Sequence, residues 1–383
     1  MREDWDIRLF KDVFDLQMGK TPDRKNFSLF EGDNTWVSIK DLDGKYISSS
    51  KECISDEAAK NIKLVKRGTV IMSFKLTVGK TAIAGKDLYT NEAIMAFNLR
   101  NGYDIDASFL YYYLKNYRWE GSNKAVMGIT LNKATISKHK IAIPPKATQL
   151  SIVTELDKLN ELIRIKKEQL KDYDTLAQSI FYETFGDPVV NDKKWEMEML
   201  GEVCVIERGG SPRPISAYIT ESEEGLNWIK IGDTIDGCMY IYSTKEKIKE
   251  EGLNKTRYVH EGDLILSNSM SFGHPYILKT SGCIHDGWLV IRDKKEVFNT
   301  IYLYYTLASK SMYYQFERMA VGGVVNNLNS KMVSKVHVTI PPLSLQNTFA
   351  YKIEQIERQK ASVQKTISDL ETLLASRMQY WFD

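Results

Sequence analysis

An α+β chain is predicted here: two globular α/β domains joined by two long antiparallel coiled-coil helices, arranged as a pseudo-twofold tandem repeat. Three observations predict it. One stretch of sequence recurs 197 positions further on, and each copy is followed by a long segment without glycine or proline. The remainder consists of short β-branched runs rich in Gly, Thr, Tyr and Trp. Fixed-period self-similarity is the signature of a duplicated architecture.

The repeat is clearest where the globules end. Residues 128–145 read GITLNKATISKHKIAIPP and residues 325–342 read VNNLNSKMVSKVHVTIPP. Leu131-Asn132 recurs as Leu328-Asn329, Ile143-Pro-Pro145 as Ile340-Pro-Pro342, Gln149 as Gln346 and Phe185 as Phe382. Weaker echoes lie upstream. Trp5 and Gly19-Lys-Thr-Pro22 match Trp195 and Gly209-Gly-Ser-Pro212, and Trp36-Val-Ser-Ile matches Trp228-Ile-Lys-Ile. The boundaries that follow are 1–145 and 187–342 for the globules, 146–186 and 343–383 for the helices.

Within the globules, Val70-Ile-Met72, Ile83-Ala-Gly85 and Leu264-Ile-Leu266 have the composition of strands. Asp106–Tyr117 and Phe298–Ser309, rich in Tyr and Leu, have that of helices. Proline disfavours helix in the residue before it and starts a helix well, so each Pro-Pro pair marks a helix start. Beyond the first pair, apolar residues fall at Ile152, Leu156, Leu159, Ile163, Leu170, Tyr173, Ala177 and Ile180. With Lys166 filling one gap, the steps alternate four and three, the heptad spacing of a coiled coil. The second copy gives Phe349, Ile353, Ile356, Val363, Ile367, Leu370 and Leu374, interrupted at Lys360. A lone helix would expose such a stripe. The two copies are therefore expected to pack on each other, antiparallel because a folded domain separates them. The alternative is two ordinary core helices in separate domains.

Chemistry-bearing motifs are sparse. A P-loop needs glycine five residues before its GK[ST] glycine. Gly19-Lys20-Thr21 and Gly79-Lys80-Thr81 have Phe14 and Phe74 there. The Pro-Pro pairs follow Ile, not the Asn or Asp that an adenine methyltransferase motif requires. Five histidines and four cysteines show no metal-ligand spacing. No catalytic residue, metal or cofactor is expected on this chain. No apolar run reaches the roughly 20 residues of a membrane span. The charged opening Met1-Arg-Glu-Asp-Trp5 lacks a signal-peptide core, so a cytoplasmic location is expected.

The charge distribution points to a binder. Net charge is only +2, so affinity for nucleic acid has to come from local patches. Between Glu57 and Asp87, and again between Glu120 and Glu155, basic residues occur without any acid. Similar windows between Asp263 and Asp286 and between Glu317 and Glu354 carry fewer bases. Acid-free basic windows suit phosphate contact. The candidate DNA-contacting residues are Lys20, Thr21, Lys75, Lys80, Lys124 and Thr130 in the first globule. In the second they are Arg208, Arg213, Ser269, His274, Asn326 and Asn327.

This pattern resembles the specificity subunit of type I restriction-modification systems. The residues that carry the resemblance are Gly19–Pro22 and Gly209–Pro212, Leu-Asn at 131–132 and 328–329, Ile143–Gln149 and Ile340–Gln346, and Phe185-Gly-Asp-Pro. The resemblance covers essentially the whole chain. Two departures are modest: Thr148 and Leu345 stand where Glu often precedes the helix-start Gln, and copy two ends Phe-Asp rather than Phe-Gly. The resemblance implies two target-recognition domains that each read half of a split double-stranded DNA site. It implies helices that act as spacer and dock two methyltransferase subunits, and further restriction-motor subunits. S-adenosylmethionine, Mg and ATP are then expected on those partners and not here. Two alternatives stay open, a fused DNA-modifying enzyme and a structural coiled-coil adaptor without a DNA role.

Overall fold

The computed structural model describes residues 5–119, 123–125, 128–235, 237–269, 272–320 and 327–383. The chain divides into two compact units: unit 1 is Met1–Lys166 with Thr366–Asp383, and unit 2 is Lys167–Lys365.

Each unit contains the same mixed five-stranded sheet. In unit 1 the order is Phe14–Met18, Ile94–Leu99, Val70–Ser73, Thr81–Ala84, Tyr46–Ile47. In unit 2 it is Cys204–Arg208, Trp288–Asp293, Leu264–Ser267, Pro275–Leu278, Tyr240–Ile241. Neighbours are antiparallel except the last pair, which is parallel in both units. The central strands, such as Val70–Ser73 and Leu264–Ser267, are buried along their whole length. They therefore read as continuous apolar runs rather than alternating ones. Each unit has a second sheet: three strands, Glu52–Ile54, Asn34–Val37 and Tyr89–Thr90, in unit 1, and a five-stranded counterpart built around Leu226–Ile229 in unit 2. A two-stranded ribbon closes each globule, Asp6–Leu9 with Lys140–Ile143 and Glu196–Met199 with His337–Ile340. These ribbons and secondary sheets were not visible in the sequence pattern.

The tyrosine-rich helices form as the sequence predicts, one or two residues shorter at each end. Ala107–Asn116 begins after Asp106, whose carboxylate accepts the Ser108 and Phe109 N–H groups, and Thr300–Ala308 begins after Asn299, whose side chain caps Ile301. Such N-caps satisfy N–H groups that lack a helical partner. Unit 2 adds Lys310–Ala320, a helix not foreseen. Each main core lies between the sheet and these helices. Unit 1 buries Phe10, Phe14, Phe97, Phe109 and Leu114 with Ile152 and Leu156, and unit 2 buries Leu266, Leu289, Tyr302 and Phe316 with Phe181, Phe185, Phe349 and Ile353.

The long helices are Lys146–Phe185 and Leu343–Phe382, 40 residues each, and both start directly after their Pro-Pro pair. The predicted stripe is inward-facing. Ile152, Leu156, Leu159, Ile163, Phe349, Ile353, Ile356, Val363 and Ile367 are buried, and Leu170, Tyr173 and Leu370 are half-buried. In unit 1 the end of the second helix lies at the start of the first: Glu155 pairs with Arg377, and Trp381 Nε1 donates to Glu155 at 2.9 Å. In unit 2 the end of the first helix lies at the start of the second, with Phe181 and Phe185 against Phe349. Pairing is antiparallel in each. Lys360, an interruption in the sequence pattern, proves to be an organised contact. Its ammonium meets Asp174 at 2.7 Å and Glu357 at 2.9 Å, and its side chain is 15% exposed. Burial alone lowers the lysine pKa, but these two carboxylates outweigh it and raise it, so Lys360 stays charged.

The recurring glutamines anchor each long helix to its globule. Gln149 Oε1 accepts the Asp106 N–H at 2.8 Å, and its amide donates to the Asp104 and Pro144 carbonyls at 3.1 and 3.0 Å. Gln346 repeats the set: it accepts from Asn299 N–H at 2.8 Å and donates to Val297 and Pro341 carbonyls at 2.9 and 2.8 Å. Both side chains are buried. Each amide fixes the loop that caps the tyrosine-rich helix against the first turn of the long helix.

Candidate nucleic-acid interface

Most of the predicted contact residues whose placement is described lie on loops at the ends of the main-sheet strands, and the same hydrogen-bond relay ties those loops together in both units. In unit 1, Thr21 Oγ donates to Glu92, Phe74 N–H donates to the Ala93 carbonyl at 3.0 Å, and Leu131 N–H donates to the Phe74 carbonyl at 3.0 Å. In unit 2, Ser211 Oγ donates to Asp286 at 2.6 Å, Asn268 N–H donates to the Gly287 carbonyl at 2.9 Å, and Leu328 N–H donates to the Asn268 carbonyl at 2.9 Å. Three separated segments thus meet on one rim of each globule.

The Gly-x-[Thr/Ser]-Pro turn is the first segment. A Cβ on Gly19 would lie 2.1 Å from the Thr90 carbonyl oxygen, and one on Gly209 would lie 2.2 Å from that of His285. Only glycine allows this approach of backbone to backbone. The residue type that suggested a phosphate loop is therefore explained by packing. Lys20 follows it, exposed, with its carbonyl accepting from Trp36 Nε1 at 3.1 Å. In unit 2 the turn is flanked by exposed Arg208 and Arg213.

The second segment is the loop after the central strand. Ser73 and Ser267 close it in the same way. Each buried hydroxyl accepts an N–H, from Lys80 at 3.1 Å and from His274 at 3.0 Å. Lys80 and His274 are therefore equivalent positions, both exposed. Lys75 is half-buried with its ammonium 5.5 Å from the Phe74 ring centroid. His274 sits 5.7 Å from the Tyr313 ring. Ser269 is half-buried beside Asn268, whose side-chain amide donates to the Asp286 carbonyl at 3.1 Å. Asn268 Oδ1 is buried without a partner among the described residues.

The third segment precedes Leu131 and Leu328. Lys124 and Thr130 fall in the hairpin Asn123–Ala125 and Gly128–Thr130, but their side chains lie outside the described residues. Asn327 is exposed next to Leu328; Asn326 lies outside the described residues. The structure thus gathers Lys20, Thr21, Lys75 and Lys80 on one rim, and Arg208, Arg213, Ser269, His274 and Asn327 on the other.

Glu92 and Asp286 were missed in the sequence because an isolated acid at a strand start carries no pattern; their equivalence appears only after the sheets are aligned. Asp286 is the centre of the unit 2 rim. Besides Ser211, its carboxylate faces Arg213 at 4.0 Å, and its backbone carbonyl accepts Arg208 Nε at 2.9 Å. The Ser211 hydrogen bond holds the Asp286 pKa below the usual aspartate value despite partial burial. Next to it, burial lowers the His285 pKa, and Nδ1 accepts the Gly287 N–H at 2.7 Å, which fixes the neutral ring. Among the described residues, no group of three or more His, Cys, Asp or Glu is placed to hold a metal ion. Likewise, no helix is long and apolar enough to cross a membrane.

A family model, "Type I restriction modification DNA specificity domain", matches residues 2–172 and again 192–372. The chain belongs to that family. The two matches coincide with the two copies of the internal repeat. Among relatives of this specificity-domain chain is the type I restriction enzyme MjaIX specificity subunit of Methanocaldococcus jannaschii. It is 27% identical over 61% of this chain, an alignment that spans 59% of that relative's length. A second protein of that archaeon, which carries the name MjaX specificity subunit, is 22% identical over 97% of this chain and 93% of its own length. The fold is shared with a chain from a structure of type I R-M complex assembly and conformational transition. Its TM-score is 0.66 and its identity 19%, covering 100% of this chain and 98% of that one. The type I restriction-modification S subunit of M. genitalium shares the fold at a TM-score of 0.56 and 14% identity, over 99% and 96% of the two chains.

Proposed function

We propose that this chain is the DNA-sequence-recognition subunit of a type I restriction-modification complex, each unit reading one half of a bipartite target. The observation that carries the proposal is the duplicated relay. The same three loops are tied together at the same end of the main sheet in both units, while the residues they display differ: Lys20, Lys75 and Lys80 in one, Arg208, Arg213, Ser269 and His274 in the other. A constant scaffold with different exposed donors is what two half-sites of different sequence require. Joining two short readings in one molecule multiplies discrimination.

The long helices supply the second part of the proposal. They form a repeated, partly apolar surface, with Leu176 and Leu373 equivalent in the repeat and both exposed. On this reading they scaffold two methyltransferase subunits, and restriction-motor subunits join through them. S-adenosylmethionine, Mg and ATP belong to the partners, and the lone chain neither methylates nor cleaves. The test is sequencing of methylated adenines in host DNA with and without the gene for this chain. Loss of one bipartite motif supports the proposal. An unchanged methylome in a host whose methyltransferase subunit is active would refute it.

A further inference from the structure

The unit 2 rim contains a carboxylate on a face proposed to meet phosphates. Such a group opposes DNA approach unless cations cover it. Here Arg213 faces the Asp286 carboxylate at 4.0 Å, and Arg208 is held close by, its Nε donating to the Asp286 backbone carbonyl at 2.9 Å. The carboxylate also receives Ser211 Oγ at 2.6 Å, and the same backbone carbonyl takes the Asn268 amide at 3.1 Å. Asp286 thus touches the Gly209–Arg213 turn and the Asn268–Ser269 loop together. The Arg213 side chain is 76% exposed, so its outer nitrogens remain free to donate outward.

Unit 1 has the same latch with different chemistry. Glu92 takes the place of Asp286 and accepts from Thr21 in place of Ser211. Met18 and Asp23 stand where unit 2 has Arg208 and Arg213. The longer acid is paired with threonine and the shorter one with serine, and the turn is held in both. The latch is therefore common, and the arginines on it are particular to unit 2.

Resting on the reading that each unit reads one half-site, we propose that Asp286 is a positioning residue for sequence reading by unit 2. Its carboxylate, bonded to Ser211 and facing Arg213, fixes the turn, and thereby keeps its own backbone carbonyl where that carbonyl receives Arg208 and Asn268, so that both guanidinium groups and the Asn268–Ser269 loop stay in the arrangement that meets DNA acceptors. A guanidinium already held by one nitrogen loses less freedom on binding and keeps its remaining donors in a fixed fork. That is the geometry that favours base edges, where orientation decides, over phosphates, where charge alone suffices.

The experiment uses the full chain assembled with its methyltransferase subunit, on duplexes carrying single-base changes in either half of the methylated motif. Asp286→Ala is expected to reduce discrimination about tenfold in one half-site and leave the other half unchanged. Asp286→Glu is expected to restore it, as Glu92 serves in unit 1. Ser211→Ala, which leaves the carboxylate in place, is expected to relax the same half-site by a smaller factor, and it decides the matter if Asp286→Ala does not fold. Wild-type discrimination in Asp286→Ala, or in Ser211→Ala when the former is unfolded, overturns the inference. So does equal loss in both half-sites, the mark of a merely structural role. A wild-type complex without sequence preference would instead overturn the specificity reading itself.

Discussion

Replacing Gln149 by Ala tests how the reading globule is fixed to its helix. The buried amide makes three hydrogen bonds, and its loss leaves the Asp106 N–H and the Asp104 and Pro144 carbonyls without that partner. Leaving a buried polar group unsatisfied costs about 1–3 kcal/mol, and with a donor and two carbonyls affected a loss in the upper part of that range, about 2–3 kcal/mol, is expected once the site relaxes. For a unit of this size that corresponds to a fall in Tm of roughly 5–10 °C. Gln346→Ala should fall by a similar amount, because its three bonds match in partner type and in length to within about 0.3 Å. The two sites lie in different units, so the double variant should show both losses independently. Gln149→Glu retains an acceptor for Asp106 but turns two attractive contacts with carbonyls into repulsive ones, and should recover little. Differential scanning calorimetry reads each value. A Gln149→Ala melt within 1 °C of the parent would refute the anchoring role.

Three further outcomes are expected. Lys360→Met leaves Asp174 and Glu357 facing each other without their shared cation. The cost should be about 2 kcal/mol, below that of a fully buried pair because Asp174 is half exposed, and denaturant melts of Lys360→Met with Asp174→Asn and Glu357→Gln added should regain most of it. His285 has a folded pKa held below its unfolded value by burial, so its neutral form stabilises unit 2 above the unfolded pKa near 6.5. That contribution is lost progressively as pH falls from there to the lower folded value, and a His285→Gln variant should lack this part of the pH dependence in thermal melts. Finally, Lys20→Ala and Lys80→Ala should each weaken binding to all DNA sequences and reduce the slope of log K against log salt by about one. An unchanged slope removes that residue from the interface.

Legibility in the sequence followed the range of the physics. The long helices were visible because heptad spacing is local, and because Pro145 and Pro342 mark their starts. The duplication was visible because Leu131-Asn132 and Ile143-Pro-Pro145 recur at one spacing. The sheets were half visible. Buried runs such as Val70–Ser73 announce a strand, but strand order depends on pairings between residues far apart, such as Val70 with Phe97. Lys360 looked like a flaw because its partner Asp174 lies on the other helix. The latch carboxylates had no sequence signal at all: Glu92 and Asp286 acquire meaning only when folding brings Thr21 and Ser211 to them. Basic windows include loops that lie on the unit 1 rim, yet could not separate Lys80, on that rim, from charges engaged elsewhere, such as Lys66 paired with Asp87 at 3.1 Å.

The central claim is that two independent readers share one chain. Its most direct test exchanges residues 1–142 for the matching segment of a relative with a different methylated motif, and sequences the adenine methylation that results. The account predicts a hybrid motif: one half changes to that of the relative, and the other half stays as it was. A motif changed in both halves, with the complex active, would contradict it.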